Sequence, residues 1–124
     1  MPFYENAKIL IQMVNGDELE AWITANSITD IVYLSRKALS PNQIQHFILK
    51  LLETIGVIGV DKRDILAAFD LGFSDFEDAL QSACSHKDGL DCIVTRNSKD
   101  FALSKVPAVD ISDFLARHYA EDNN

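Results

Sequence analysis

Short apolar runs set between amphipathic helical stretches constrain this 124-residue chain more than any other feature. Val57-Ile58-Gly59-Val60 follows Gly56, and Cys92-Ile93-Val94-Thr95 follows the Asp88-Gly89 break. Runs so short, bounded by turn residues, read as buried strands. Ala21 to Thr24, with Trp22, and Ala108 to Ile111 are two more strand candidates. Helical spacing fills the intervals. Phe3, Ala7, Leu10, Ile11 and Val14 share one face of an opening helix that stops at Asn15-Gly16. Asn26 or Ser27 caps a second helix running through Arg36. Ser40-Pro41 opens a third, which turns Ile44, Phe47, Ile48, Leu51 and Leu52 inward and ends at Gly56. A short helix covers Asp61 to Phe69, and Ser112 caps the last one. Strands and helices in alternation predict an α/β fold with a parallel sheet. The length suits one domain, residues 1–124.

A net charge of -8 argues against a broad basic face for nucleic acid. It does not argue against a carboxylate cluster that becomes neutral only when a divalent cation binds. Arg36, Lys37, Arg96, Lys99 and Lys105 are the cations best suited to meet a phosphate backbone. No apolar run approaches the roughly 20 residues of a membrane span, and no basic-then-apolar leader opens the chain. A cytoplasmic protein without membrane association is therefore expected. Cys84 and Cys92 lack the spacing of a zinc or redox site and read as small core residues. His46, His86 and His118 show no ligand spacing, and the chain has neither a Gly-rich phosphate loop nor a nucleophile elbow.

The densest chemistry lies between Gly72 and Phe101. Ser74 and Glu77 stand in the relation of a capping box, so a helix is expected from near Asp75, with Phe76, Ala79, Leu80, Ala83 and Cys84 on its apolar side. Asp75 and Asp78, three residues apart, share one side of its first turn. Beyond the strand ending at Thr95 come Arg96, Asn97, Ser98, Lys99 and Asp100, at the carboxyl end where parallel sheets build sites. Asp30 occupies the first turns of the helix that follows the Trp22 strand. Carboxylates at helix starts also offset the macrodipole, so position alone leaves structural and chemical roles both open.

Four segments in order carry a resemblance. They are Ala25 to Leu34, Asp75-Phe76-Glu77-Asp78-Ala79-Leu80, Ile93 to Phe101, and Val109 to Leu115. Together they make the chain similar to the PIN-domain family of metal-dependent nucleases, which includes the VapC-type toxins. The resemblance implies a three-layer α/β/α fold around a mainly parallel sheet. It further implies Asp30 and Asp78 as metal ligands for Mg²⁺ or Mn²⁺, with Asp75 or Asp100 assisting. Asn97, where many members carry an acid, would orient water or a ligand, and the Thr95 hydroxyl would position the site. RNA is the implied substrate, an antitoxin protein a candidate partner, and a homodimer the expected assembly.

Against the family pattern, the chain is expected to open after the first strand and its D-T-N-like aspartate. Four strands would remain. Direct closure of the Trp22 strand against the Ile93 strand is then favoured, because buried unpaired backbone groups are costly. The missing aspartate sets a non-catalytic PIN-like binding or regulatory protein beside the ribonuclease reading. An unrelated receiver-like α/β module is disfavoured by the Thr95-Arg96-Asn97 strand end, which lacks a phosphate-accepting aspartate.

Overall fold

The structure is a computed structural model that describes residues 12–16 and 18–122. Most of the expected opening helix, from Phe3 to Ile11, lies outside these residues; 12–15 are helical and Gly16 makes a turn. Two compact units divide the chain, one spanning Gln12–Val60 and one running from Asp61 onward.

In the first unit, β1 (Trp22–Thr24) passes directly into α1 (Ala25–Ser35), and α2 (Pro41–Leu52) leads to β2 (Gly56–Ile58). β1 and β2 pair in parallel, Trp22 opposite Gly56, Ile23 opposite Val57 and Thr24 opposite Ile58. The two helices thus form the long crossover that a parallel pair requires. A Cβ on Gly56 would fall 2.4 Å from the Trp22 ring, so the bare glycine is what lets the indole lie across the neighbouring strand. The N-cap of α1 is Thr24 rather than Asn26 or Ser27, and its hydroxyl lies 2.7 Å from the Ser27 hydroxyl instead of capping a backbone N–H. The strand leaves no loop in which a later residue could cap. α2 begins as expected: Ser40 accepts from Gln43 N–H, and the Gln43 side chain accepts from Ser40 N–H. Its apolar stripe is less covered than the spacing suggests. Ile44 is buried, whereas Phe47 keeps 48% of its surface and Leu52 is exposed as well. β2 spans Gly56–Ile58 instead of Val57 to Val60, because Gly56 already enters the ladder opposite Trp22.

The second unit contains α3 (Lys62–Asp70), α4 (Phe76–Lys87), β3 (Ile93–Thr95), a 3-10 turn (Ser98–Phe101), β4 (Ala108–Asp110) and α5 (Ile111–Asp122). β3 and β4 are parallel, with Ile93 opposite Ala108, Val94 opposite Val109 and Thr95 opposite Asp110. α3 starts with a box made wholly of aspartates: Asp61 accepts from Asp64 N–H at 3.2 Å, and Asp64 accepts from Asp61 N–H at 2.9 Å. The buried Asp64 also receives Lys87 Nζ at 2.7 Å, which ties α3 to the end of α4. Burial pushes the Asp64 carboxyl up, but the Lys87 and Asp61 hydrogen bonds outweigh it and hold the group below its usual value.

α4 ends in a Schellman arrangement. Gly89, at φ 68°, lets its N–H reach His86 C=O while Leu90 N–H reaches Ser85 C=O. The buried side of α4 is Ala79, Leu80, Ser82, Cys84 and Ser85, which keeps Ala79, Leu80 and Cys84 of the expected face and adds Ser82 and Ser85. Phe76 stays exposed against Phe69, ring centroids 4.6 Å apart. Ser82 is tolerated inside because its hydroxyl donates to Ser104 Oγ at 2.6 Å, while Ser104 Oγ donates to Val106 C=O and accepts from Val106 N–H. Ile93, Phe101 and Val106 form the core beneath the sheet, with Phe73 edge-on to Phe101. Cys84 is buried and Cys92 half-buried, as core residues should be. Burial raises both thiols above their ordinary value.

The α/β expectation holds, with four strands among the described residues. They form two two-stranded sheets, β1–β2 and β3–β4. The expected closure of the Trp22 strand against the Ile93 strand into one sheet is not among their ladders. The final helix starts at Ile111 rather than after a Ser112 cap, since β4 runs into it without a loop and buries Ile111 and Leu115.

Candidate active site

Asp75, not Ser74, is the N-cap of α4. Its Oδ1 accepts the Asp78 N–H at 3.0 Å. Both residue types can cap, but an ionised carboxylate makes the stronger acceptor at the positive end of a helix. The helix therefore begins one residue later than the Ser74–Glu77 pattern suggests, and Asp78 becomes its third residue. Asp78 is half-buried, while Asp75 is exposed.

α4 packs on the 3-10 turn that follows β3, and this turn carries Asp100. Burial raises the Asp78 carboxyl above its ordinary value, and the charges of Asp75 and Asp100 raise it further. Three acids from two elements thus share one electrostatic neighbourhood. Phe101, buried in the core, anchors the turn and so fixes where the exposed Asp100 stands.

The carboxyl ends of β3 and β4 hold the adjoining loop. Thr95 Oγ1 accepts from Asn97 N–H at 3.2 Å, and Asp110 Oδ1 accepts from Ser98 N–H at 3.4 Å. Thr95 and Asp110 are direct cross-strand partners, so two side chains at one level of the sheet set the path of 97–98. Asn97 is exposed and precedes the turn without a side-chain cap. Asp110 was not singled out from the sequence; its signal is its place at the end of the last short apolar run, in register with Thr95. Asp30 belongs to the first unit, half-buried in the second turn of α1.

Among the described residues, no three His, Cys, Asp or Glu side chains are gathered tightly enough to enclose a metal ion. The donor chemistry of the acidic group still fits a hard cation. Its ligands would be carboxylate oxygens, and the repulsion acting on Asp78 is of the sign a cation reverses. Mg²⁺ commonly takes only one or two carboxylates and fills its shell with water and substrate phosphate. The group therefore suits a weakly held ion rather than a closed cage.

The family model of the PIN domain matches residues 1–99. No curated protein matches the chain. The match covers well over half the sequence, and the chain belongs to the PIN-domain family. Its short parallel strands among helices are the PIN-like α/β fold. The family is nuclease-like, commonly binds RNA and generally uses divalent metals. Among the described residues no helix is long and apolar enough to cross a membrane.

Proposed function

We propose that this PIN-domain chain is a metal-dependent ribonuclease of the toxin–antitoxin type, hydrolysing phosphodiester bonds at the acidic group where α4 begins. The observation that carries the reading is the half-buried Asp78 in the field of Asp75 and Asp100, beside the loop leaving β3. Asp78 is the residue of this group assigned to Mg²⁺ or Mn²⁺; Asp30, in the first unit, is a metal ligand on the family resemblance alone. Such an ion supplies an activated water and offsets charge on the phosphate under attack. Asp75 fixes the first turn of α4 and with it the placement of Asp78. Thr95 and Asp110 hold the loop that presents Asn97, whose amide orients water, and Asp100 adds a second carboxylate on the same side. Residues 1–124 act as one catalytic domain in the cytoplasm, paired with an antitoxin and with a second copy of the chain. Exposed Phe47, Leu52, Leu66 and Phe69 give such assemblies apolar surface to cover.

The test is cleavage of single-stranded RNA with Mn²⁺ by the wild type and by Asp78→Asn. Cleavage that needs Mn²⁺ and falls at least about a hundredfold in the variant supports the assignment, that being the scale expected when a group aimed at transition-state charge is removed. A non-catalytic RNA-binding role is favoured by one observation, the lack of three gathered ligands among the described residues. Binding of RNA without any Mn²⁺-dependent cleavage would select it.

A further inference from the structure

Tyr33, at the end of α1, is 59% exposed, and the Arg36 guanidinium lies over its ring, 4.1 Å from the centroid. Arg36 is not a loose surface cation: its Nε also donates to Tyr33 C=O at 3.3 Å, so the guanidinium is held over the phenol ring and the two form one plate. Lys37 is exposed next to it, and α1 contains no buried residue. An aromatic ring with a stacked guanidinium and a second cation is the set of groups that holds an unpaired base and its phosphate.

We infer that the Tyr33–Arg36 plate, with Lys37, is a base-stacking site for single-stranded RNA, which deepens the reading above and rests on RNA being the substrate. Two features decide for stacking over a simple phosphate clamp. Arg36 and Lys37 stand at the negative end of the α1 dipole, which spends part of their charge on the helix itself. The chain as a whole is acidic, at -8, so long-range attraction for a polyanion is weak. The strand must therefore be gripped mainly through the faces of its bases, and duplex RNA, whose bases are already stacked, is excluded. Asp30 lies one turn before Tyr33 on the same side of α1.

The experiment is fluorescence anisotropy of a labelled adenosine oligoribonucleotide with the full chain in EDTA, which separates binding from metal-dependent cleavage. Tyr33→Ala should weaken binding about tenfold or more, Tyr33→Phe should keep it, and Arg36→Ala should fall between them. The slope of log affinity against log salt should be shallow, about -1 to -2, as for one or two phosphate contacts. Thermal melts of each variant establish that the fold is kept, which the exposure of Tyr33 favours. Equal affinity for wild type and Tyr33→Ala, no binding by the wild type, or equal binding of duplex RNA would each overturn the inference. Tyr33-dependent binding without Mn²⁺-dependent cleavage would uphold this site and sink the ribonuclease reading. Cleavage with binding indifferent to Tyr33 would do the reverse.

Discussion

The two units are built from the same parts, a parallel strand pair with helices, yet they are consolidated differently. α4 buries five side chains, and polar ties lock its surroundings: Asp64 to Lys87, Ser82 to Ser104, and Ser104 to Val106. α1 buries none, and α2 buries only Ile44. The first unit's buried apolar side chains are Met13, Val14, Ile44 and Ile58, beside the close fit of Trp22 over Gly56. Stability within a chain is uneven, and regions with few buried apolar groups open at lower free energy. Amides of α1 should accordingly exchange with solvent sooner than those of α4, and the acidic group at the start of α4 stands on the firmer base.

The comparison breaks most sharply in the second unit's interior. Leu80→Ala, which empties a buried position in α4, should cost about 3 kcal/mol in a denaturant melt, the middle of the range for such deletions. A loss below about 1 kcal/mol would mean α4 is no better packed than α1. Gly56→Ala tests the first unit's chief local fit. The new methyl must displace a rigid indole, so a cost of about 2 kcal/mol is expected, with a changed Trp22 fluorescence spectrum.

Asp64 sharpens the comparison through pH. Its folded-state pKa lies below the ordinary 3.8, so its contribution is present above that value and is lost as pH falls through the lower folded value. Asp64→Ala should lower the melting temperature at pH 7 and lose less stability than the wild type between pH 5 and the acid limit. Asp78 carries the opposite sign. Because its folded pKa is raised, ionising it costs stability at neutral pH, and the cost fades as pH drops from the folded value toward 3.8. Asp78→Asn should therefore melt slightly higher at pH 7 without metal, by well under about 1 kcal/mol given the group's partial exposure to solvent. That advantage should vanish in acid. A lower melting temperature at pH 7 would show that Asp78 serves the helix and not a strained acidic group.

Much of this was legible in sequence where one signal had no competitor. Ser40-Pro41 offered a single start for α2, and Asp88-Gly89 a single stop for α4, because only glycine takes the left-handed turn cheaply. Ser74 and Asp75 were two good caps side by side, and the charged one won, which moved the start of α4 by one residue. The buried face of α4 holds Ala79, Leu80 and Cys84 as expected but is wider than its apolar residues suggest. Ser82 reads as solvent-facing until Ser104, distant in sequence, supplies the partner that lets it be buried. Helix starts after Thr24 and Asp110 were also hidden, since strand and helix join there without turn residues. At the candidate site, Asp75, Asp78 and Asp100 stand out in the sequence at a helix start and beyond a strand's carboxyl end, while their metal role is implied by the family resemblance alone. Asp110 does not stand out, because its role comes from register with Thr95, and register is a property of paired strands.

Calorimetric titration of Mn²⁺ into this chain and into Asp78→Asn tests the central claim most directly, the proposal that the acidic group opening α4 binds a divalent metal. The wild type should bind weakly, with water completing the ion's shell, and the variant should lose the binding heat. Tight binding that survives Asp78→Asn, or no binding by the wild type at millimolar Mn²⁺, would contradict the claim.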